Sequence, residues 1–362
     1  MVLNLLLRSC AAAALAAALV APAVVPAAAQ DGAVTVVSFG GSYAESQKKA
    51  FLAPFQQETG IKANMVDYNG GLGEIRAQVQ TGNVTWDVVD VEMQDLVRGC
   101  DDGLFEQVSD IELPPSADGT PGAADFIDGT LHDCGVGTII WSTVIAYNDE
   151  MFPGEKPSKV EDFFDVQRFP GKRGLMKKPQ AFLEWALIAD GVDASEVYDV
   201  LATPEGLDRA LAKLDTIRDH IVWWDAHAQA PQLLADKEVA MTMAANGRIY
   251  AAAVGEGKPF KVIWDRQIWV QEFWAIVKGA PNRDAAEKFI SFASRPEQMA
   301  LQAGMISYGP ARKSAAASVD EAMRPHLPTE ASNFATAVHN DVEFWADHGD
   351  AIAERFLVWL NK

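Results

Sequence analysis

Cysteine is scarce in this 362-residue chain, with residues at positions 10, 100 and 134 only and no CxxC pair, so redox catalysis has no motif to stand on. Basic residues are also in deficit. Thirty Lys and Arg face 50 Asp and Glu, a formal net charge of −20, which argues against nucleic acid or an anionic membrane surface as partner. The excess favours cationic ligands only weakly, because such an excess commonly just keeps a surface soluble. A GxxxxGKS/T loop, a GxGxxG fingerprint, a GxSxG elbow and an HExxH helix are all missing. No repeat with a solenoid period occurs. His220 and His227 lack the i, i+4 spacing that converges on zinc, and the tyrosines at 43, 68, 147, 198, 250 and 308 include no adjacent pair of the kind that holds ferric ion. No metal or other cofactor is expected.

The one long apolar run lies at the start. Met1 to Arg8 lead into Ala, Leu and Val up to Val25, with Pro22 and Pro26 inside and Ala27-Ala28-Ala29 at the end. Basic start, apolar middle and small-residue finish read as a cleavable secretory signal over residues 1–29. A membrane anchor is the competing reading, disfavoured by the prolines, the alanine dilution and the missing charged stop. Cys10 is not a lipoprotein anchor, because cleavage there would leave the apolar run on the mature chain. From about Asp31 to Lys362 the mature protein is long enough for two domains. Only Cys100 and Cys134 remain after cleavage, and an oxidising compartment would pair them; two unrelated buried thiols are the alternative.

Along the mature chain, apolar runs alternate with helical spacings. Val34–Phe39, Ile61–Tyr68 and Trp86–Val91 read as strands. Gly40-Gly41-Ser42 and Gly70 to Gly73 read as turns, with helices from Glu45 onward and up to Thr81. Strands separated by helices imply a parallel α/β sheet, whose ligands collect outside the carboxyl ends of the strands. That places Phe39 to Tyr43, Asn69 to Gly73 and Glu92 to Gln94 at a cleft. Beyond a Pro- and Gly-rich excursion over 101–130, strands are expected at Thr138–Tyr147, Gly174–Met176, Val239–Met243 and Trp274–Val277. Helices are expected at Val160–Phe164, Ala181–Ala189, Pro204–His220, from Asn246, Ala285–Ser294 and Glu343–Leu360.

Several fragments in order, Ser38-Phe39-Gly40-Gly41-Ser42-Tyr43, Glu58-Thr59-Gly60-Ile61-Lys62, Trp86-Asp87-Val88-Val89, Ile145-Ala146-Tyr147-Asn148, Phe169-Pro170-Gly171-Lys172, Gln232 to Asp236 and Asn246-Gly247-Arg248, carry a resemblance. Together they resemble the periplasmic solute-binding proteins of ABC importers, in the branch that includes spermidine and putrescine binders. The resemblance implies a monomer with two α/β lobes joined by two hinge crossings, about 31–146 plus 271–315 and about 147–270 plus 316–362. It also implies closure around a small solute, recognition by membrane permease subunits, a periplasmic location and no catalysis.

Tyr43 and Phe39, on either side of the glycine turn, are candidate ring contacts for an alkyl chain or ammonium group, or ordinary packing. Trp141 and Ser142 fall near the hinge, with Trp141 either pocket or core. The resemblance assigns Glu272 as the carboxylate that grips an amine. Glu92, after its strand, is a second acid, or a solvated capping residue. Asn246, Gln229 and Tyr308 complete the set that the resemblance points into the cleft. Polyamine binders carry further acids after the Leu175-Met176 strand; here Lys177-Lys178-Pro179 follow, and Ala245 replaces a tryptophan. The expected solute is a polyamine such as putrescine or spermidine. The alternatives are an amino-acid-like zwitterion such as γ-aminobutyrate, which the lysines suit, or an exported hydrolase.

Overall fold

The computed structural model describes residues 33–362; the signal over 1–29 and Cys10 lie outside the described residues. Eleven strands form one sheet: β1 Ala33–Ser38, β2 Lys62–Asp67, β3 Val88–Glu92, β4 Leu131–His132, β5 Gly135–Asn148, β6 Arg173–Met176, β7 Ile221–Trp224, β8 Met241–Ala245, β9 Phe260–Ile276, β10 Gly309–Pro310 and β11 Val338–His339. The main order is β2-β1-β3-β9-β5-β8-β6-β7. At each end neighbours run parallel, β1 with β2 and β3, and β6 with β7 and β8. The long central strands β5 and β9 are antiparallel to each other and to β8 and β3 beside them, while the short β11 runs parallel to β9.

Alternation builds the first end. Val34, Val36, Val88, Trp274 and Ile276 face one side, where Phe51, Phe55 and Phe289 cover them. Their strand neighbours Val37, Val89, Phe273 and Ala275 face the other, against Ile75, Trp86 and Leu96. Burying both faces is what a parallel sheet with helices on each side requires. The second end has its own apolar core, with Leu175, Phe182, Trp185, Trp224, Met241, Phe344, Phe356 and Trp359 in one cluster. Each such side chain contributes about 1.5 to 3 kcal/mol when fully buried. The C-terminal helix Val342–Leu360 places its aromatic residues there, in packing, as expected from sequence.

Several boundaries differ from the sequence reading. The first helix starts at Gly41 rather than Glu45 and widens into a π-type turn over Lys48–Leu52 before Ala53–Thr59. Pro54 has no N–H to give to the preceding turn, and the wider turn accommodates it. Gly60 ends this helix at φ 74°. The strand expected at Trp274–Val277 is the tail of the 17-residue β9, whose Lys261, Asp265, Arg266 and Gln267 hid its earlier part. The helix expected to reach His220 stops at Asp215, and Ile221–Trp224 is a strand. Val239–Met243 is shifted two residues, to Met241–Ala245.

The β5–β9 ladder skips twice, between Gly137 and Ile139 and between Thr143 and Ile145. At the second skip Ile145 pairs with Ile263 and Thr143 with Ile268, so Trp264–Gln267 leave the ladder. This bulge is fastened from the second end: Val160 N donates to Asp265 Oδ2, Trp185 Nε1 donates to the Arg266 carbonyl, and Gln267 Nε2 donates to the carbonyls of Pro328 and Asn333.

Cys100 and Cys134 form a disulfide with their Cα atoms 5.9 Å apart, closing the 101–130 excursion onto β5. Replacing both with serine should lower stability by about 3 to 4 kcal/mol in the chain-entropy picture, read as a lower urea midpoint than wild type, with added reductant bringing wild type down to the variant.

Candidate functional site

The apolar face of β3 changes character toward its carboxyl end. Val88 belongs to the core, but Asp90 and then Glu92 follow at the same parity. Their partners on β9 are Ile276, Trp274 and Glu272, so Glu92 and Glu272 sit directly opposite each other on one face. Ser38 Oγ and Gln47 Nε2 donate to Asp90 Oδ2 at 2.9 and 2.6 Å, and the Tyr68 hydroxyl donates to the Asp90 carbonyl. Tyr43 lies against both Asp90 and Glu272. Even so, Tyr43 Oη, Asp90 Oδ1 and Glu272 Oε2 make no bond of full hydrogen-bond geometry.

Burial raises all three acids. Asp90 is pushed up to about 6 by desolvation, against the hydrogen bonds it accepts. Glu92 is pushed up to about 7 by desolvation, with Lys178 pulling the other way. Glu272 goes well above the ordinary range through desolvation and then the charges of Asp90 and Glu92.

Glu92 borders a cavity of about 80 Å³ together with Trp141, Lys178, Gln180, His227 and Met176. β3, β6 and β7 all deliver their side chains at or just after their carboxyl ends. Trp141, 5% exposed, has no partner for its indole N–H. His227 lies 5.7 Å, ring to ring, from both Trp141 and Trp224. Burial, aided by the nearby charges of Arg248 and Lys178, pushes it down to about 3, so it is neutral at physiological pH. Among the described residues no ion pair takes up Lys178; its neighbour Lys177 pairs with Asp225. Through Glu92, Gln94, Lys178, Gln180 and His227 the cavity adjoins a groove of about 300 Å³, whose far wall is the helix Val342–Leu360. A larger cavity, about 620 Å³, lies elsewhere, around Tyr147, Tyr250, Phe260 and Trp264, away from the buried acids.

Of the residues singled out in the sequence, Glu92 and Trp141 meet at the small cavity. Phe39 lies on the rim of the adjoining groove, its ring 5.1 Å from that of Tyr68. Arg248 holds the Phe39 and Gly40 carbonyls at 2.9 and 3.0 Å. Gly41, at φ 68°, leaves the space that arginine needs, since a Cβ there would stand 2.7 Å from Arg248 Nη1. Tyr43, Tyr308 and Glu272 are buried behind the cavity, the two tyrosine rings meeting edge-on at 5.2 Å. Ser142 N donates to Asn246 Oδ1 at 3.0 Å and Asn246 Nδ2 donates to the Ser307 carbonyl, so this asparagine bridges three segments. Gln229 is exposed, and its Oε1 accepts from the Asp225 and Ala226 amides at 2.9 and 2.8 Å, shaping the turn that carries His227. Sequence reasoning missed Asp90, Gln180 and His227 as site residues. Asp90 did leave a signal, two acids at alternate positions of an otherwise apolar strand.

Over residues 50–329 the chain matches the family described as bacterial extracellular solute-binding protein. A γ-aminobutyric acid-binding protein of Pseudomonas aeruginosa is 45% identical over 336 residues, 93% of this chain and 93% of that one. Among solved structures, an ABC transporter substrate-binding protein from Bradyrhizobium japonicum USDA 110 is 34% identical with a TM-score of 0.81, covering 91% of this chain and 100% of its own. A receptor for GABA, γ-aminobutyrate, is 33% identical with a TM-score of 0.77, covering 90% of this chain and 97% of its own.

An ammonium group seated on Glu92 needs the carboxylate ionised. With Glu92 pushed up to about 7, affinity for an amine should be flat above about pH 8 and fall about tenfold per unit below about pH 6 to 7. Calorimetric titration across that range checks this, and Glu92→Gln should bind weakly at every pH.

Proposed function

This chain belongs to the bacterial extracellular solute-binding proteins, and from that premise we propose that it captures γ-aminobutyrate, or a close ω-amino acid, in the periplasm and delivers it to an ABC importer. The family is one of binding proteins, which sets aside an exported hydrolase.

One observation carries the choice of solute: an acid and an unpaired lysine, Glu92 and Lys178, border the same small cavity. A zwitterion with its charges at opposite ends satisfies both. The ammonium sits on Glu92, and the carboxylate on Lys178 with the free indole N–H of Trp141 within the same walls. Neutral His227 adds a polar edge without a competing charge. A diamine would set one of its cations against Lys178, an unfavourable contact between like charges. A cavity of about 80 Å³ has room for a few water-sized groups, on the order of a short amino acid. The polyamine expected from sequence therefore gives way to the zwitterionic alternative, in keeping with the names of the relatives.

In this reading the lobes are about 31–146 plus 271–315 and about 147–270 plus 316–362, with β5 and β9 as the hinge crossings and the permease recognising the closed form. The two separate apolar cores support that division.

Thermal-shift and calorimetric panels test the proposal. γ-Aminobutyrate should stabilise the fold by about 2.7 kcal/mol at a hundredfold excess over Kd, with putrescine, spermidine and sugars giving less. Lys178→Ala should weaken γ-aminobutyrate by about 1.5 to 3 kcal/mol while leaving putrescine no weaker. A larger shift with putrescine than with γ-aminobutyrate would return the assignment to polyamines.

A further inference from the structure

We infer that Glu272 is a positioning residue and not a ligand contact: with Asp90 and Tyr43 it forms a proton-sharing support, itself neutral, behind the Glu92 carboxylate that faces the solute. This deepens the proposed function and rests on its placing an amine at Glu92.

The geometry separates the two glutamates. Glu92 is partly exposed and borders both the cavity and the groove. Glu272, across the ladder, is 4% exposed and borders neither. Two like charges directly opposite on antiparallel strands oppose each other, and among the described residues no ion pair relieves Asp90, Glu92 or Glu272. A buried carboxyl pair in such a place holds one proton between them.

Hydrogen bonding decides where the charge and the proton reside. Ser38 and Gln47 both donate to Asp90 Oδ2, which favours the ionised form of Asp90. Glu272 accepts no comparable pair of donors and has Asp90 and Glu92 beside it. A proton on Glu272 therefore removes the repulsion across the ladder. It also supplies a donor among Tyr43 Oη, Asp90 Oδ1 and Glu272 Oε2, the atoms otherwise without a well-formed bond. The other charged or titratable groups around this support are Tyr68, Asp95, Tyr308 and Arg248, the last donating to the Phe39 and Gly40 carbonyls, with Lys178 and His227 toward the cavity. Neither cation pairs with Glu272: the effect of Lys178 falls on Glu92, and that of Arg248 on Tyr308 and His227.

Infrared difference spectra and γ-aminobutyrate titrations at pH 8 test the inference on the full mature chain. The wild type should show the carbonyl stretch of a buried, protonated carboxylic acid; that band should vanish in Glu272→Gln and persist in Glu92→Gln. Affinity should fall tenfold or more in Glu272→Ala and be rescued to within about threefold of wild type in Glu272→Gln, because glutamine keeps a neutral donor of the same length. A band untouched by Glu272→Gln, or a folded Glu272→Gln as weak as Glu272→Ala, would overturn the inference. Should the wild type bind no γ-aminobutyrate, the proposed function fails, and the infrared band still decides the protonation of Glu272 by itself.

Discussion

Everything at this site follows from placing three carboxyl groups where an apolar core ends. Asp90, Glu92 and Glu272 share a sheet face with Val88 and Trp274, and among the described residues no cation neutralises them by direct pairing. Such groups stay buried only by accepting hydrogen bonds, by holding protons or by meeting a cation from outside. The three acids divide these solutions. Asp90 takes the hydrogen bonds, Glu272 is raised well above the ordinary carboxyl range, and Glu92 opens onto a cavity. An unsatisfied charge that can be completed only by a guest is a direct route from fold to recognition.

Much of the fold was legible because period and punctuation agreed. Val34 to Val37 with Val88 to Val91 announced a sheet buried on both faces, and Gly60 announced the end of a helix at a left-handed φ. What stayed hidden was β9, because it is not a uniform strand. Its first part mixes buried Phe260 and Ile263 with exposed Lys261, its middle leaves the ladder as a bulge, and only Phe273 to Ile276 is wholly apolar core. Ile221–Trp224 was lost for a different reason: it follows a helix through a short 3₁₀ turn, with none of the glycine or proline that marks such a change elsewhere.

The site was legible by type more than by position. Acids after strand ends pointed to Glu92, which borders the small cavity, and the lysines after Met176 stood out as a departure. Sequence distance concealed the rest. Tyr43 and Tyr308 are far apart in the chain yet meet ring to ring, and Asn246 joins segments around Ser142 and Ser307. His227 carries no motif; its environment, one tryptophan from β5 and one from β7, exists only after the sheet has been assembled.

The skip in the β5–β9 ladder at Thr143 has a mechanical consequence. Where rungs are missing, the ladder is locally disrupted, the strand bends and its twist increases. Trp264–Gln267 cannot yield, being bolted to Val160, Trp185, Pro328 and Asn333. The step of β5 without a β9 partner there is Val144, just past Trp141 to Thr143, whose Ser142 amide is tethered to Asn246. The indole that walls the cavity stands beside that bend in β5, so the local twist of the central ladder sets where one wall of the chamber lies.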